Sequence, residues 1–170
     1  MNLEEFKAQV PHPLRVVTLV LFTRQSKVLL AVKGRDFGEG MWNAPGGKLQ
    51  DGENEFQAAT RESVEEVGLR PLWLRRVALL NFYFGAQPLE KDWNQQVQVF
   101  LSGSWSGELR GSEEMHNPTW FEFGQLPLEQ MWPFDRIWLP KVLAGERLTG
   151  EFLFGENNEP LEHQFLPYPD

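Results

Sequence analysis

The stretch Gly47-Lys48-Leu49-Gln50-Asp51-Gly52-Glu53, followed after seven residues by Arg61-Glu62-Ser63-Val64-Glu65-Glu66-Val67-Gly68-Leu69, decides how the chain is read. Residues 54–67 have helical character. At about 100° per residue, Phe56, Ala59, Ser63 and Val67 fall on one arc, the expected core face, and Glu62, Glu65 and Glu66 fall on a neighbouring arc. Gly68 follows at a natural C-cap position. Carboxylates spaced i, i+3, i+4 repel and cost a bare helix roughly 0.2–0.5 kcal/mol per pair. Three of them with few cations among them suggest a counter-ion. Hard oxygen ligands in a small cluster favour Mg²⁺ or Mn²⁺, which keep some waters and also bind substrate phosphates. Glu53 precedes the helix within reach of Arg61, as an orienting ion pair, and Gly46 and Gly47 let the backbone approach a phosphate closely. Taken alone, an acidic helix face is more often a solvated surface.

Outward from this helix, residues 14–22 form a β-branched run, 23–26 a turn and 27–32 a second strand, together a hairpin. Residues 33–47, rich in glycine and aromatics, read as a loop. Strands are expected at 73–84, 96–105 and 118–123, and a closing pair at 151–154 and 161–166. Residues 128–144 read as helical, interrupted by Pro133 and Pro140. Strands broken by two helical segments indicate an α+β sandwich. No repeat, low-complexity tract or linker divides the chain, so residues 14–170 are expected to be one domain preceded by a short arm, 1–13.

Composition excludes several alternatives. There is no cysteine among the 170 residues, hence no disulfide scaffold, thiolate nucleophile or Cys-based zinc site. The net charge of −8 argues against a nucleic-acid polymer, whose binding depends on Lys/Arg patches. A small anionic substrate stays open, because a bound metal reverses the local field. Residues 1–10 mix acidic and basic side chains and have no apolar core of a signal peptide, and no run is long enough to span a bilayer, so a cytoplasmic enzyme without a membrane partner is expected.

The opening stretch resembles the Nudix box, G-x5-E-x7-R-E-U-x-E-E-x-G-U, with U a bulky aliphatic residue. Gly47, Glu53, Arg61, Glu62, Glu65, Glu66 and Gly68 match every fixed letter, and Leu69 fills the last U. Ser63 stands where the first U belongs. By the angular count it faces the core, so the departure bears on packing and not on metal binding. The resemblance implies a Nudix fold, an α/β/α sandwich with a mixed central sheet and a catalytic loop–helix–loop. It also implies hydrolysis of a nucleoside diphosphate linkage, with Mg²⁺ held by Glu62, Glu65 and Glu66, together with Gly46 and Glu114, and with Arg61 and Glu53 in the catalytic set. A metal so held polarises a phosphoryl oxygen and helps produce a nucleophilic water. Glu62, Glu65 and Glu114 are all candidates for the general base. Glu114 is expected on a loop before the 118–123 strand, free to swing toward the metal.

From about residue 17 to 154 the chain also resembles the mammalian-type MutT homologues, which sanitise oxidised purine nucleoside triphosphates. Phe37-Gly38-x-Gly40-x-Trp42-Asn43 and Met131-Trp132-Pro133-x-Asp135-x-x-Trp138-x-Pro140 carry this likeness. It implies a base pocket in which Asn43 and Asp135 hydrogen-bond the base and Trp132 and Trp138 wall or stack it. Phe82, Met115, Phe37 and Thr18 complete the pocket, with Lys33 at its mouth. Aromatic stacking of this kind is worth roughly 1–3 kcal/mol per base. The branch has two adjacent acids after Trp-Pro, where this chain has Phe134-Asp135, which bears on oxidised-guanine selectivity. Three other readings stay open: a Nudix hydrolase for nucleotide sugars, one for RNA 5′ ends, and a non-catalytic nucleotide sensor.

Overall fold

The computed structural model describes residues 1–169. In chain order the elements are α1 (Leu3–Lys7), β1 (Arg15–Arg24), β2 (Lys27–Lys33), β3 (Trp42–Asn43), α2 (Glu55–Val67), β4 (Arg70–Pro71), β5 (Arg75–Phe84), β6 (Gln95–Ser102), β7 (Trp105–Ser106), β8 (Met115–Glu122), α3 (Asp135–Leu143), β9 (Leu148–Phe154) and β10 (Pro160–Leu166). Eight strands join one sheet in the order β10-β9-β5-β6-β1-β2-β3, with β8 also paired to β2. The pairs β1–β6 and β5–β9 are parallel and the remaining ladders antiparallel, so the sheet is mixed, as expected for this fold.

Alternation along β1 explains the layering. Leu21 faces a core that includes Trp138, Leu139 and Val142 of α3, whereas Val20 and Phe22 face a second core with Ala59 and Val67 of α2. The two longer helices therefore cover opposite faces. The 1–13 segment carries α1, whose Leu3 and Phe6 pack with Val10, Tyr83 and Leu153 in a third cluster. Lys7 fastens it by donating to the buried Glu151 carboxylate at 2.9 Å. Among the described residues no helix is long and apolar enough to cross a membrane.

Several expectations change. The β1–β2 hairpin pairs only next to its turn, at Thr23–Val28 and Arg24–Lys27. Further along, the Pro45–Gly47 backbone lies against β1 instead: Thr18 N–H donates to the Gly47 carbonyl and Val20 N–H to the Pro45 carbonyl, both at 2.8 Å. Strand β8 begins at Met115 and not at 118, because Lys33 pairs with Met115 and Gly34 N–H donates to the Glu114 carbonyl at 2.8 Å. Residues 128–144 are not one helix. A 3-10 turn at Leu128–Gln130 ends before Pro133, and α3 starts at Asp135 and accommodates Pro140. Phe56, expected in the core, is 44% exposed and meets Phe100 edge-on, because it lies on the first turn of α2, where Ala58 takes the inward place.

Candidate active site

Helix α2 is set at both ends by local chemistry. Asn54 caps it by accepting from Gln57 N–H, Gln57 returns a bond to Asn54 N–H, and Gly68 closes it at φ 78°, a left-handed conformation that costs glycine little. Between these ends Ser63 is fully buried, as the angular count requires, and its hydroxyl donates to the Ala59 carbonyl at 2.8 Å.

The three box glutamates do not share one environment. Glu66 is buried, and its Oε1 accepts from Gly46 N–H at 2.8 Å. Glu62 is largely enclosed and accepts from Arg61 Nη1 at 2.9 Å. Glu65 lies about 100° further round the helix than Glu66. Its side chain is exposed and meets Arg61 at 3.2 Å. The carboxylate that joins Glu62 and Glu66 is Glu114: one oxygen from each lies within 4.8 Å of the others. Glu114 directly precedes β8, and the Gly34 N–H on its carbonyl and Arg35 on its carboxylate hold it in place, so it is not on the swinging loop expected from the sequence.

Arg61 organises the near side. Its Nε and Nη2 donate to both Glu53 oxygens, at 2.7 and 3.0 Å, and Nη2 also donates to the Lys48 carbonyl at 3.0 Å. The expected Glu53–Arg61 ion pair is thus present as a bidentate fork. Arg61 holds the Glu53 carboxyl below the usual glutamate range. Burial pushes Glu62 upward, opposed by Arg61. Burial raises Glu66 far more, opposed by the Gly46 N–H and reinforced by Glu62. Glu114 is lowered, chiefly by its hydrogen bond from Arg35. Room for the cluster comes from glycine: a Cβ at Gly46 would collide with the Thr18 carbonyl, and one at Gly47 would sit 2.6 Å from the Glu62 carboxyl carbon. A group of hard oxygen donors, with one buried, strongly desolvated carboxyl beside two partly exposed ones, fits a small divalent cation.

A cavity of about 490 Å³ runs from this cluster into the sheet. Glu62, Glu66 and Glu114 line one part, with Lys33, Gly46 and Gly47. Thr18, Phe37, Asn43, Phe82, Met115, Trp132, Asp135 and Trp138 line the same cavity, so every residue expected in the pocket is brought there. Asn43 is steadied by Ala44 N–H, which donates to its Oδ1 at 2.9 Å. Asp135 is buried and accepts from Trp138 Nε1 at 2.9 Å. Burial pushes its carboxyl up to about 7, against the lowering effect of that indole. Phe37 stacks on Trp132, with ring centroids 4.9 Å apart. Phe134 is not in the lining. It packs behind it, 4.9 Å from both Phe152 and Phe154, so of the pair Phe134-Asp135 the second alone presents a carboxyl to the cavity.

Sequence reasoning missed Phe84, Trp93 and Phe154, which enclose Phe37 and Trp132, and Arg15 and Lys91, which also line the cavity. The alternation of Phe82 and Phe84 on one strand face was the available signal for Phe84. Trp93 follows the 3-10 turn Leu89–Lys91 in a connection without periodicity, and nothing local marks it.

Comparison with known proteins bears on this site. The NUDIX domain model matches residues 12–142. The chain is 38% identical over 150 residues to the oxidized purine nucleoside triphosphate hydrolase of Danio rerio, covering 88% of this chain and 93% of that protein. It is 38% identical to the Mus musculus protein of the same name, covering 88% and 92%. Among solved structures, the MutT protein of Bacillus halodurans superposes with a TM-score of 0.75 at 27% identity, covering 92% of this chain and 100% of that one.

Proposed function

We propose, since the chain belongs to the NUDIX domain family and is a Nudix hydrolase, that it is a Mg²⁺-dependent nucleoside triphosphate diphosphatase acting on oxidised purine nucleotides such as 8-oxo-dGTP. The products are the nucleoside monophosphate and pyrophosphate, and the role is sanitation of the nucleotide pool in the cytoplasm. The observation that carries this reading is a single cavity with a three-carboxylate cluster at one part and aromatic, amide and carboxyl groups at another. The names of the 38%-identical relatives support the substrate class.

In this reading Glu62, Glu66 and Glu114 hold Mg²⁺, with Mn²⁺ as a substitute and Gly46 supplying backbone support. The bound ion supplies Lewis-acid polarisation of a phosphoryl oxygen and lowers the pKa of a water. Glu53 and Arg61 fix the helix and the preceding loop, so that the carboxylates need no rearrangement on substrate binding. Of the three candidates for the general base, Glu62 and Glu114 line the cavity and can face the attacking water, whereas Glu65 lies outside it, engaged with Arg61. Asn43 and Asp135 read the base edge, and Trp132 and Trp138 supply its aromatic walls, with Phe82, Met115, Phe37 and Thr18 shaping the rest. Lys33 neutralises phosphate charge at the mouth. Residues 14–170 form one catalytic domain, which the 1–13 segment braces through α1.

A Mg²⁺-dependent product assay across normal and modified nucleoside triphosphates tests the reading. Pyrophosphate, not orthophosphate, is expected, with higher kcat/KM for 8-oxo-dGTP than for dGTP. Absence of any preference for modified purines would remove the substrate assignment. Nucleotide binding without turnover in Mg²⁺ would replace the enzyme with a sensor.

A further inference from the structure

Each carboxylate of the cluster has a donor that fixes it. Glu62 has Arg61 Nη1 at 2.9 Å and Glu66 has the Gly46 N–H at 2.8 Å. For Glu114 it is Arg35, whose Nη2 donates to Oε1 at 2.8 Å. Arg35 lies outside the cavity lining and half exposed, with Glu113 at 3.7 Å and Asp36 at 4.0 Å as weaker partners. The backbone brings it there. Gly34 N–H donates to the Glu114 carbonyl, and a Cβ at position 34 would collide with the Glu113 carbonyl and the His116 ring, so only a glycine lets the strand end pass close enough for the next residue to reach Glu114. Glu114 is also the most exposed of the three acids, with its side chain 40% accessible against 13% for Glu62. It therefore has the most rotamer freedom to lose when it is ordered.

We propose that Arg35 is the positioning residue for the third carboxylate: it holds Glu114 turned toward Glu62 and Glu66, and so sets the affinity of the site for a divalent cation. The inference rests on the reading of that cluster as the metal site. A carboxylate whose one oxygen is fixed by a guanidinium offers the other to the ion already oriented. Hydrogen-bond partners of this kind typically change metal affinity about 10–100-fold, and the exposure of Arg35 places its effect near the lower end. A purely electrostatic role has the opposite sign, since a nearby cation repels the metal and its removal would tighten binding.

The test is Mn²⁺ titration of the nucleotide-free protein, followed by electron paramagnetic resonance of the free ion. Wild type, Arg35→Ala, Arg35→Lys, Glu114→Gln and the Arg35→Ala/Glu114→Gln pair are compared. Arg35→Ala is expected to weaken Mn²⁺ binding about tenfold with the melting of the metal-free protein unchanged. Arg35→Lys should recover part of the loss, because an ammonium replaces the charge but not the planar fork. In the Glu114→Gln background the arginine substitution should cost much less, the signature of a coupled pair. Unchanged or tighter binding by Arg35→Ala overturns the inference, as does an equal loss in both backgrounds. No Mn²⁺ site in the wild type would overturn the metal reading itself and this inference with it.

Discussion

Replacement of Glu66 by glutamine separates the metal-holding role of this residue from its place in the fold. The side chain keeps its shape and an oxygen that accepts the Gly46 N–H, now 2.8 Å from Glu66 Oε1, while the negative charge is lost. A metal-assisted step depends on several kcal/mol of charge stabilisation, and losing about 3–4 kcal/mol of it lowers kcat roughly 10²–10³-fold. The metal-free protein behaves in the opposite way. Burial raises the folded-state pKa of Glu66 above that of an unfolded glutamate, so the folded form holds a proton that the unfolded chain has lost. Stability therefore falls as pH rises from the ordinary glutamate range through the raised folded value. Glutamine removes that fall, and the variant should melt at or above wild type at pH 8, with the difference shrinking toward pH 5. Metal added at about 100 times its Kd stabilises the wild type by about 2.7 kcal/mol, roughly 5–10 °C for a chain of this size. Glu66→Gln should lose most of that shift. The assays are steady-state turnover and thermal melting with and without Mg²⁺, at both pH values. Retention of more than a tenth of kcat together with the full Mg²⁺ shift would refute the reasoning, as would a metal-free variant clearly less stable than wild type at pH 8.

Asp135, raised to about 7 by burial, should make stability fall as pH climbs from about 4 to about 7, by up to about 4 kcal/mol, and Asp135→Asn should flatten that slope in denaturant titrations at several pH values. Trp138→Phe removes the indole donor 2.9 Å from that carboxyl and should cost about 1–3 kcal/mol of stability, raising KM for the nucleotide more than it lowers kcat. Arg61→Ala leaves Glu53 and Glu62 without their shared cation and should lower kcat together with stability, measured by initial rates and urea unfolding. Ser63→Ala should leave turnover unchanged and shift stability by less than about 1 kcal/mol, because its hydroxyl only returns a bond to the Ala59 carbonyl within the helix.

Much of the site was legible because its signals are local. The apolar arc and the Gly68 stop delimit α2 to within a residue, and Arg61 and Glu53 sit at a spacing that closes an ion pair across the helix start. The pocket residues came from the resemblance and not from periodicity: nothing in the local pattern of Asn43 or Asp135 says that residues 92 positions apart line one cavity. What local reading could not supply was tertiary. The separation of Glu65 from Glu66 depends on which side of the helix meets the Gly46 loop, and the fixing of Glu114 depends on Gly34 and Arg35, which follow β2 some eighty residues earlier in the chain. The displacement of the hairpin by residues 45–47 depends on a long loop folding back on β1, and α1 gains its place from residues far along the chain, Tyr83 and Leu153 by packing and Glu151 and Glu162 by hydrogen bonds.

Competition in one reaction tests the central claim most directly. Equal concentrations of 8-oxo-dGTP and dGTP are incubated with the protein and Mg²⁺, and nucleotides and phosphates are separated over time. The expected result is early loss of 8-oxo-dGTP, appearance of its monophosphate with stoichiometric pyrophosphate, and no reaction when the metal is chelated. Equal consumption of the two nucleotides, release of orthophosphate, or turnover that survives chelation would contradict the account.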